Sequence, residues 1–463
     1  MFEIAERGST VRRELLGGAT TFMAMSYILF VQPAVLSMAG MDSGGVFMAT
    51  CISSALACIL MGVLANYPIA LAPGMGENFF FALTLAPAMA AWGLGTGWEM
   101  ALAMTVVVGL VFLALSLVGF RSKVMNAIPD ALKSGIAAGI GLFIAVIGFS
   151  YGNLAVAFPN GLVTFPGLTG NPIGVLTLIG LAVTMTLMAF RVRGAILLGI
   201  LGTTVVGLVW GQVAWCGVPV SWPTGLAKTA GGYLHGMQGL FSALLSEHAV
   251  EVITFMFILL FMDLFDTVGT LVGVAGRSGL MVRGELPGAE KALSADAAGT
   301  VMGGCLGTST VTSYIESITG VESGARTGLA AVTAGVLMGL AIFCQPLAGM
   351  VGGGIPVEQA VVVGGDVHTM TAVKYPLIAP ALIVVGALMI RTIRQIDWDD
   401  ATEYIPAFLT MIAMPLAYSI AAGIAIGFVS YAFGKLVTGR TKQCPVLVYV
   451  FAALFILRYA IHN

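Results

Sequence analysis

Charge is what this sequence has least of. Lys and Arg number 20 and Asp and Glu 22 among 463 residues, 9% in all, where a soluble domain carries about a quarter. The two signs nearly cancel to a net −2, so the basic field of a nucleic-acid binder is absent. Segments 17–39, 46–73 and 134–190 hold no charge at all, and a soluble enzyme could not build its polar shell around them. Cysteine is scarce as well. The six, at 51, 58, 216, 305, 344 and 444, lie mostly in or beside apolar runs without ligand spacing, which excludes a disulfide scaffold and leaves inert thiols. His235, His248 and His368 show no HxxxH or HExxH spacing, so no zinc site is expected. No GxxxxGK[ST] motif or nucleophile elbow occurs, which disfavours an ATP-driven pump, and we read the chain as a non-enzyme without cofactor. The N-terminal 18 residues lack a short apolar core with a cleavage site, so the first span is expected to act as the insertion signal.

What is abundant is apolar: 58% hydrophobic residues, with 61 Gly and 25 Met. Solid apolar blocks near 20 residues read as membrane helices, and their lack of strict alternation excludes a β-barrel. Glycine suits close helix–helix approach in lipid. Hydropathy places spans at 17–38, 46–65, 68–89, 99–120, 132–152, 172–190, 194–214, 250–274, 292–306, 308–322, 326–346, 374–391, 404–416 and 418–436. A last apolar stretch, 444–461, either crosses or lies along the surface. Two segments are interrupted, one in each half. The first carries Pro68, Pro73, Gly74 and Gly76; the second carries Gly299, Gly303, Gly304, Gly307 and Gly320 around a β-prone TSTVTSYI run. Irregular backbone at membrane depth survives only where it lines a cavity or is buried in protein, and a pair of broken segments in corresponding places points to a transporter's binding site.

With fourteen spans and a cytoplasmic N-terminus, 17 basic residues fall inside and only Lys228 and Lys374 outside, with Arg458 near the C-terminus as the twentieth. That bias sets the orientation expected in a plasma (inner) membrane. The external 215–249 stretch, with Trp215, Trp222 and Tyr233, reads as an interfacial aromatic belt, and TIRQIDWDDATE (392–403) as a solvated acidic loop.

Acids inside spans are the informative positions, because each costs roughly 2.5–3.5 kcal/mol at a helix centre. Four stand out: Glu77 beside the first break, Asp263 and Asp266 in the long eighth span, and Glu316 in the second break. Asp263 and Asp266, three apart, share a helix face among Phe255, Phe257, Phe261 and Phe265, a setting suited to a carboxyl that exchanges a proton. Either Asp can instead brace backbone freed in a neighbouring broken helix. Asn78 offers a donor and an acceptor, matching the mixed edge of a flat heterocycle. Phe79, Phe80, Phe81 and Tyr314 are placed to stack on such a ring or to fill the core.

The blocks ATTFMAMSYILFVQPAVL (19–36), NYPIALAPGMGENFFFAL (66–83), FMDLFDTVGTLVGVAG (261–276), SADAAGTVMGGCLGTSTVTSYIESITGVESGARTG (294–328) and IPAFLTMIAMPLAYSIAAGIAIGFVSY (405–431) resemble the AzgA-type branch of the nucleobase–cation symporter-2 family. The resemblance runs from about residue 7 to 460. It implies an all-α polytopic membrane protein with the uracil-permease fold: 14 transmembrane segments in two inverted repeats of seven, with short β-strands in segments 3 and 10. Segments 1–130 and 249–350 would form a core domain, and 131–248 and 351–463 a gate domain. By motif position, Asp266 and Glu316 would hold the nucleobase, with Asn78, Tyr314, Phe79 and Glu77 beside it, and Asp266, Glu316 and Asp263 are the candidates for proton coupling. The implied activity is uptake of hypoxanthine, guanine or adenine with protons, in contact with membrane lipid and as a single copy or a homodimer. The alternatives are a sodium-coupled nucleobase, xanthine or uracil carrier, and a sulfate- or bicarbonate-like anion carrier on the same fold. Two departures stand out: this chain has GMGEN where members commonly read GMGLN, so Glu77 adds a carboxylate, and Gln32 stands where Asn is common.

Overall fold

The fold follows from where the apolar runs are broken. A computed structural model describes residues 2–117, 128–158, 161–280, 286–363 and 366–461. Arg121, Lys123, Arg283 and the end of the 99–120 segment lie outside the described residues, as does the side chain of His368. The first span is two helices, α1 (Val11–Met25) and α2 (Ile28–Ser37). Pro33 inside α2 lacks an N–H for the preceding turn, and the junction at Ser26–Tyr27 uses tighter bonds, Leu29 N–H to Ser26 O and Phe30 N–H to Tyr27 O. Helix α3 (Ser43–Leu60), capped by Asp42, ends in a π turn, Met61–Ala65, closed by Asn66 in the left-handed region.

The two interrupted segments each become a strand followed by a half-helix: β1 (Leu71–Pro73) with α4 (Met75–Phe80) in the first half of the chain. A π turn, Phe81–Leu85, and α5 (Ala86–Ala91) complete that element, and α6 (Gly97–Leu117) follows. Next come α7 (Asp130–Tyr151), a small hairpin of β2 (Val156–Phe158) and β3 (Gly161–Thr164), α8 (Pro172–Ala189), α9 (Ala195–Val209) and α10 (Gly232–Leu244). The second half holds the 30-residue α11 (Ala249–Ser278), α12 (Ala289–Leu306), β4 (Val311–Ser313), α13 (Ser317–Glu322), α14 (Gly328–Leu340) and α15 (Gln345–Gly352). It ends with a ribbon of β5 (Ile355–Val363) and β6 (Asp366–Lys374), then α16 (Ala379–Met389), α17 (Ala401–Leu416), α18 (Ile420–Val437) and α19 (Val446–Ile461). Among the described residues, eight helical stretches are long and apolar enough to cross a membrane.

Strands β1 and β4, some 240 positions apart in sequence, pair antiparallel, Leu71 opposite Ser313, Ala72 opposite Thr312 and Pro73 opposite Val311. The ladder continues through Gly74 N–H to Thr310 O and Tyr314 N–H to Ala70 O. Cys58 pins its outer edge, its sulfur accepting from Leu71 N–H and donating to Leu71 O. Backbone that would be orphaned in lipid is thus satisfied inside the protein.

Helices α1 to α6 pack with α11 to α15, and α7 to α9 pack with α16 to α18. Each group has a place where only glycine fits: a Cβ on Gly328 would sit 2.0 Å from the Gly62 carbonyl, and one on Gly386 2.4 Å from that of Gly141. Gly328→Leu is therefore expected to wedge α14 from α3 and abolish the monodisperse peak in fluorescence-detected size exclusion; an unchanged profile would contradict this packing.

One end of the bundle is basic. Arg7 donates to the Asn66 and Arg326 carbonyls, Glu14 accepts from the N–H groups of Arg326 and Thr327, and Arg277 pairs with Glu322. Helix α19 runs antiparallel to α11, with Phe451 stacked on Phe257 and the Arg458 guanidinium 3.6 Å from Glu251. Its last turn therefore lies at the end of the bundle opposite Arg277. The acidic loop does more than meet solvent: Asp400 caps α17 and pairs with Arg440 at 2.6 Å. Helix α10 and the β5–β6 ribbon left no clear signal in the hydropathy.

Candidate functional site

Crossing of the paired strands puts the acids together. Asp266 lies on the exposed face of α11, in electrostatic reach of Glu77 and Glu316. Glu316 sits in the turn between β4 and α13, and its Oε1 accepts the Tyr27 hydroxyl at 2.8 Å. The Tyr27 and Tyr314 rings stand 6.4 Å apart, and the Tyr314 hydroxyl donates to Pro73 O at 2.5 Å. The first span break, the two strands and α11 therefore converge on one spot. The sequence analysis missed Tyr27; its signal was a lone phenol at the helix break.

Asp263, about 60° around α11 from Asp266, faces α12. It is fully buried, and its Oδ2 accepts the Thr300 hydroxyl of α12 at 2.9 Å while Oδ1 has no partner among the described residues. Glu77 is buried at the start of α4, its carboxylate folded back toward its own N–H. A fifth interior acid, Asp296 on α12, also escaped notice. It sits in an alanine- and glycine-rich stretch, SADAAGT, whose low bulk resembles a close-packed helix. None of the five acids pairs with a Lys or Arg among the described residues.

Asn78 is held by the loop before β4. It is buried, accepting from Ser309 Oγ, while Gln32 donates to Thr308 Oγ1 at 2.8 Å and Ser309 Oγ at 3.0 Å. Asn78 Nδ2 and Gln32 Oε1 are left without partners among the described residues. Phe79 is buried edge-on against Phe143, and Phe80 against Phe255. The structure thus brings Asp266, Glu316 and Tyr314 together, with Glu77 near them and Asn78 and Phe79 in the adjoining packing.

The two ends of this site differ. Along α11 from Asp266 toward Arg277, Gly269 and Gly276 meet nothing within 4 Å, and Val272 is exposed. Across this face, Lys133 of α7 lies 5.2 Å over the Phe265 ring, so the opening runs between the two packed groups. At the other end the groups touch. The Tyr151 hydroxyl of the second group donates to Met38 Sδ of the first at 2.5 Å, and within the second group the Tyr151 ring is held 4.7 Å from that of Tyr375. A cavity of about 320 Å³ between α2, α3 and α15 lies at that closed end and contains none of the acids.

Chemically, the spot offers carboxylate acceptors, phenol rings and the ends of two short strands: recognition groups for a flat, N–H-bearing ring, with a carboxyl able to carry a proton.

A family model described as a permease family (Xan_ur_permease) matches residues 12–374. The chain is 41% identical to the guanine/hypoxanthine permease PbuG of Bacillus subtilis, over 99% of this chain and 98% of that one. It is 37% identical to the adenine permease AdeP of Escherichia coli, over 99% and 95%. In three dimensions it resembles the transmembrane domain of a cyanobacterial bicarbonate transporter, BicA, at a TM-score of 0.62 and 15% identity, covering 90% of this chain and 96% of that one. That likeness concerns the fold: fourteen membrane segments in two inverted repeats, with strands in the third and tenth.

Proposed function

The chain belongs to the permease family matched over residues 12–374, and from that premise we propose that it takes up purine nucleobases across the plasma membrane with protons, by alternating access. The names of the relatives, guanine/hypoxanthine and adenine permeases, support the substrate class. The observation that carries the reading is the placing of Asp266, exposed on α11, beside Glu316 at the meeting of the two broken segments.

A carboxylate accepts a ring N–H of the base, and Tyr314 and Tyr27 flank the ring. Protonation of one acid balances a site with no basic partner, which ties substrate to proton. Asp263, one turn away, is a second proton carrier. Segments 1–130 and 249–350 act as the core and 131–248 and 351–463 as the gate. Movement of one against the other would open the Tyr151–Met38 contact and close the face around Gly269. The basic end faces the cytoplasm, so the conformation is inward-open. An anion carrier has only the fold in its favour, since carboxylates at the site would repel its substrate.

The test is uptake of labelled hypoxanthine, guanine and adenine into proteoliposomes under an inward proton gradient. Uptake is expected, lost on collapsing that gradient and indifferent to sodium. Sodium-driven uptake would overturn the proton coupling, and uptake of bicarbonate or sulfate alone would overturn the substrate class. The orientation has its own check. We take α19 as a further crossing, with the N-terminus inside and the C-terminus outside; the Arg458–Glu251 contact beside α11 supports that reading. Alkaline phosphatase fused after residue 463 is expected to be active. Activity of a green fluorescent protein fused there would place the C-terminus in the cytoplasm.

A further inference from the structure

Helix α12 contributes no group to the open face of the site, yet it touches both of its arms. The buried carboxylate of Asp296 takes a donor from each arm: the Thr267 hydroxyl at 2.6 Å on Oδ2 and the Ser313 hydroxyl at 2.7 Å on Oδ1. Thr267 immediately follows Asp266 on α11. Ser313 ends β4, one residue before Tyr314 and three before Glu316. Thr267 also meets Thr312 of β4 at 2.8 Å, so a single hydroxyl joins the acid, the helix and the strand. One turn further along α12, Thr300 makes a second bridge of the same kind, to Asp263 Oδ2 at 2.9 Å and to Val311 O at 3.3 Å.

An isolated strand of three residues and the middle of a long helix have no intrinsic reason to keep a fixed offset. A carboxyl group accepting from both supplies one, because its two oxygens lie in one rigid plane and each takes a hydroxyl from a different arm. Alanine at this position would leave the Thr267 and Ser313 hydroxyls buried without an acceptor. Asparagine would keep the shape but replace one acceptor with a donor.

We propose that Asp296 is a positioning residue for nucleobase recognition, holding the Asp266 arm of α11 and the Tyr314–Glu316 arm of β4 at the spacing the substrate requires. This rests on the function proposed above. Thr267 and Ser313 are its two hands, and α12 is the fixed body they hold.

The experiment compares hypoxanthine and guanine transport by wild-type, Asp296→Asn, Asp296→Ala, Thr267→Val and Ser313→Ala proteins in proteoliposomes, with hydrogen–deuterium exchange on the same preparations. Asp296→Asn is expected to raise KM about tenfold or more at a maximal rate within about threefold of wild type. Adding Ser313→Ala to Asp296→Ala is expected to change KM by less than about twofold, since the two side chains act through one bond. An unchanged KM with a fallen maximal rate and fallen protein yield would mark Asp296 as part of the general packing and overturn the proposal. So would multiplicative effects in the double variant. The exchange measurement does not depend on substrate: the amides of 311–313 are expected to exchange faster in Asp296→Asn, and unchanged exchange overturns the brace. If wild-type protein carries no nucleobase, the proposed function falls while the exchange result still decides whether Asp296 ties the two arms.

Discussion

Asp266→Asn is expected to cut nucleobase uptake by about 100-fold while leaving the amount of folded protein in the membrane unchanged. Asp266 is exposed on the face of α11 that opens toward the basic end, and among the described residues no hydrogen bond holds it, so its replacement removes little from the packing. What it removes is a charged acceptor for a substrate N–H, worth roughly 1.5–3 kcal/mol, and a group that can carry the coupled proton. Tenfold in affinity corresponds to about 1.4 kcal/mol, so binding alone accounts for one to two orders of magnitude. Exchange uptake, which needs binding but no net proton flux, separates the two losses. Glu316→Gln is expected to act in the same direction but less cleanly, because Glu316 also accepts from Tyr27 and its loss loosens the break between α1 and α2. Full uptake by Asp266→Asn would remove this acid from the site.

Lys435→Met is expected to destabilise the protein by about 1–3 kcal/mol, the cost of taking the partner from the partly buried Glu403 carboxylate. The Lys435 ammonium is 1% exposed, 2.5 Å from Glu403 and 2.8 Å from Thr402 Oγ1, with the Tyr431 ring 5.2 Å away. Glu403 also accepts the Tyr431 hydroxyl at 2.9 Å, and the whole group ties α17 to α18 at the basic end. Without the ammonium, the Glu403 carboxylate keeps only a phenol. Thermal denaturation in detergent is the readout. Adding Glu403→Gln to Lys435→Met is expected to recover most of the lost stability, because the damage lies in the unpaired charge and less in the missing contact. A double variant as unstable as Lys435→Met alone would show that the pair matters for shape instead.

Much of this architecture was legible because lipid makes sequence explicit. A charge-free run has one reading, and the two runs broken by Pro73 with Gly74 and by Gly307 to Gly320 could only be strands or turns buried in protein. Their strands were expected only from the family resemblance, and the pairing itself, Leu71 with Ser313, was seen first in the structure. The acids were legible for the same reason, since Asp266 and Glu316 are too costly to stand in an apolar segment without a task. What stayed hidden was direction. Nothing in the spacing of Asp263 and Asp266 says which faces the opening; three residues on a helix turn the side chain by about 300°, enough to put one against α12 and the other on the open face. Asn78 and Glu77 adjoin the break in sequence, yet tight backbone packing at β4 turns Asn78 onto Ser309. Asp296 was overlooked because its two hydroxyl partners, Thr267 and Ser313, are ordinary residues far away in the chain. The C-terminal stretch was ambiguous in the hydropathy, and its packing along α11, with Arg458 against Glu251, is a contact no hydropathy window contains.

The central claim is that Asp266 and Glu316 hold a purine nucleobase whose movement is tied to a proton. The most direct measurement is the internal pH of proteoliposomes, read by an enclosed dye, when hypoxanthine is added outside at neutral pH with no sodium present. Wild-type protein is expected to acidify the interior on hypoxanthine addition, and Asp266→Asn protein to show no change. Hypoxanthine entry without acidification, or acidification undiminished in Asp266→Asn, would contradict the account.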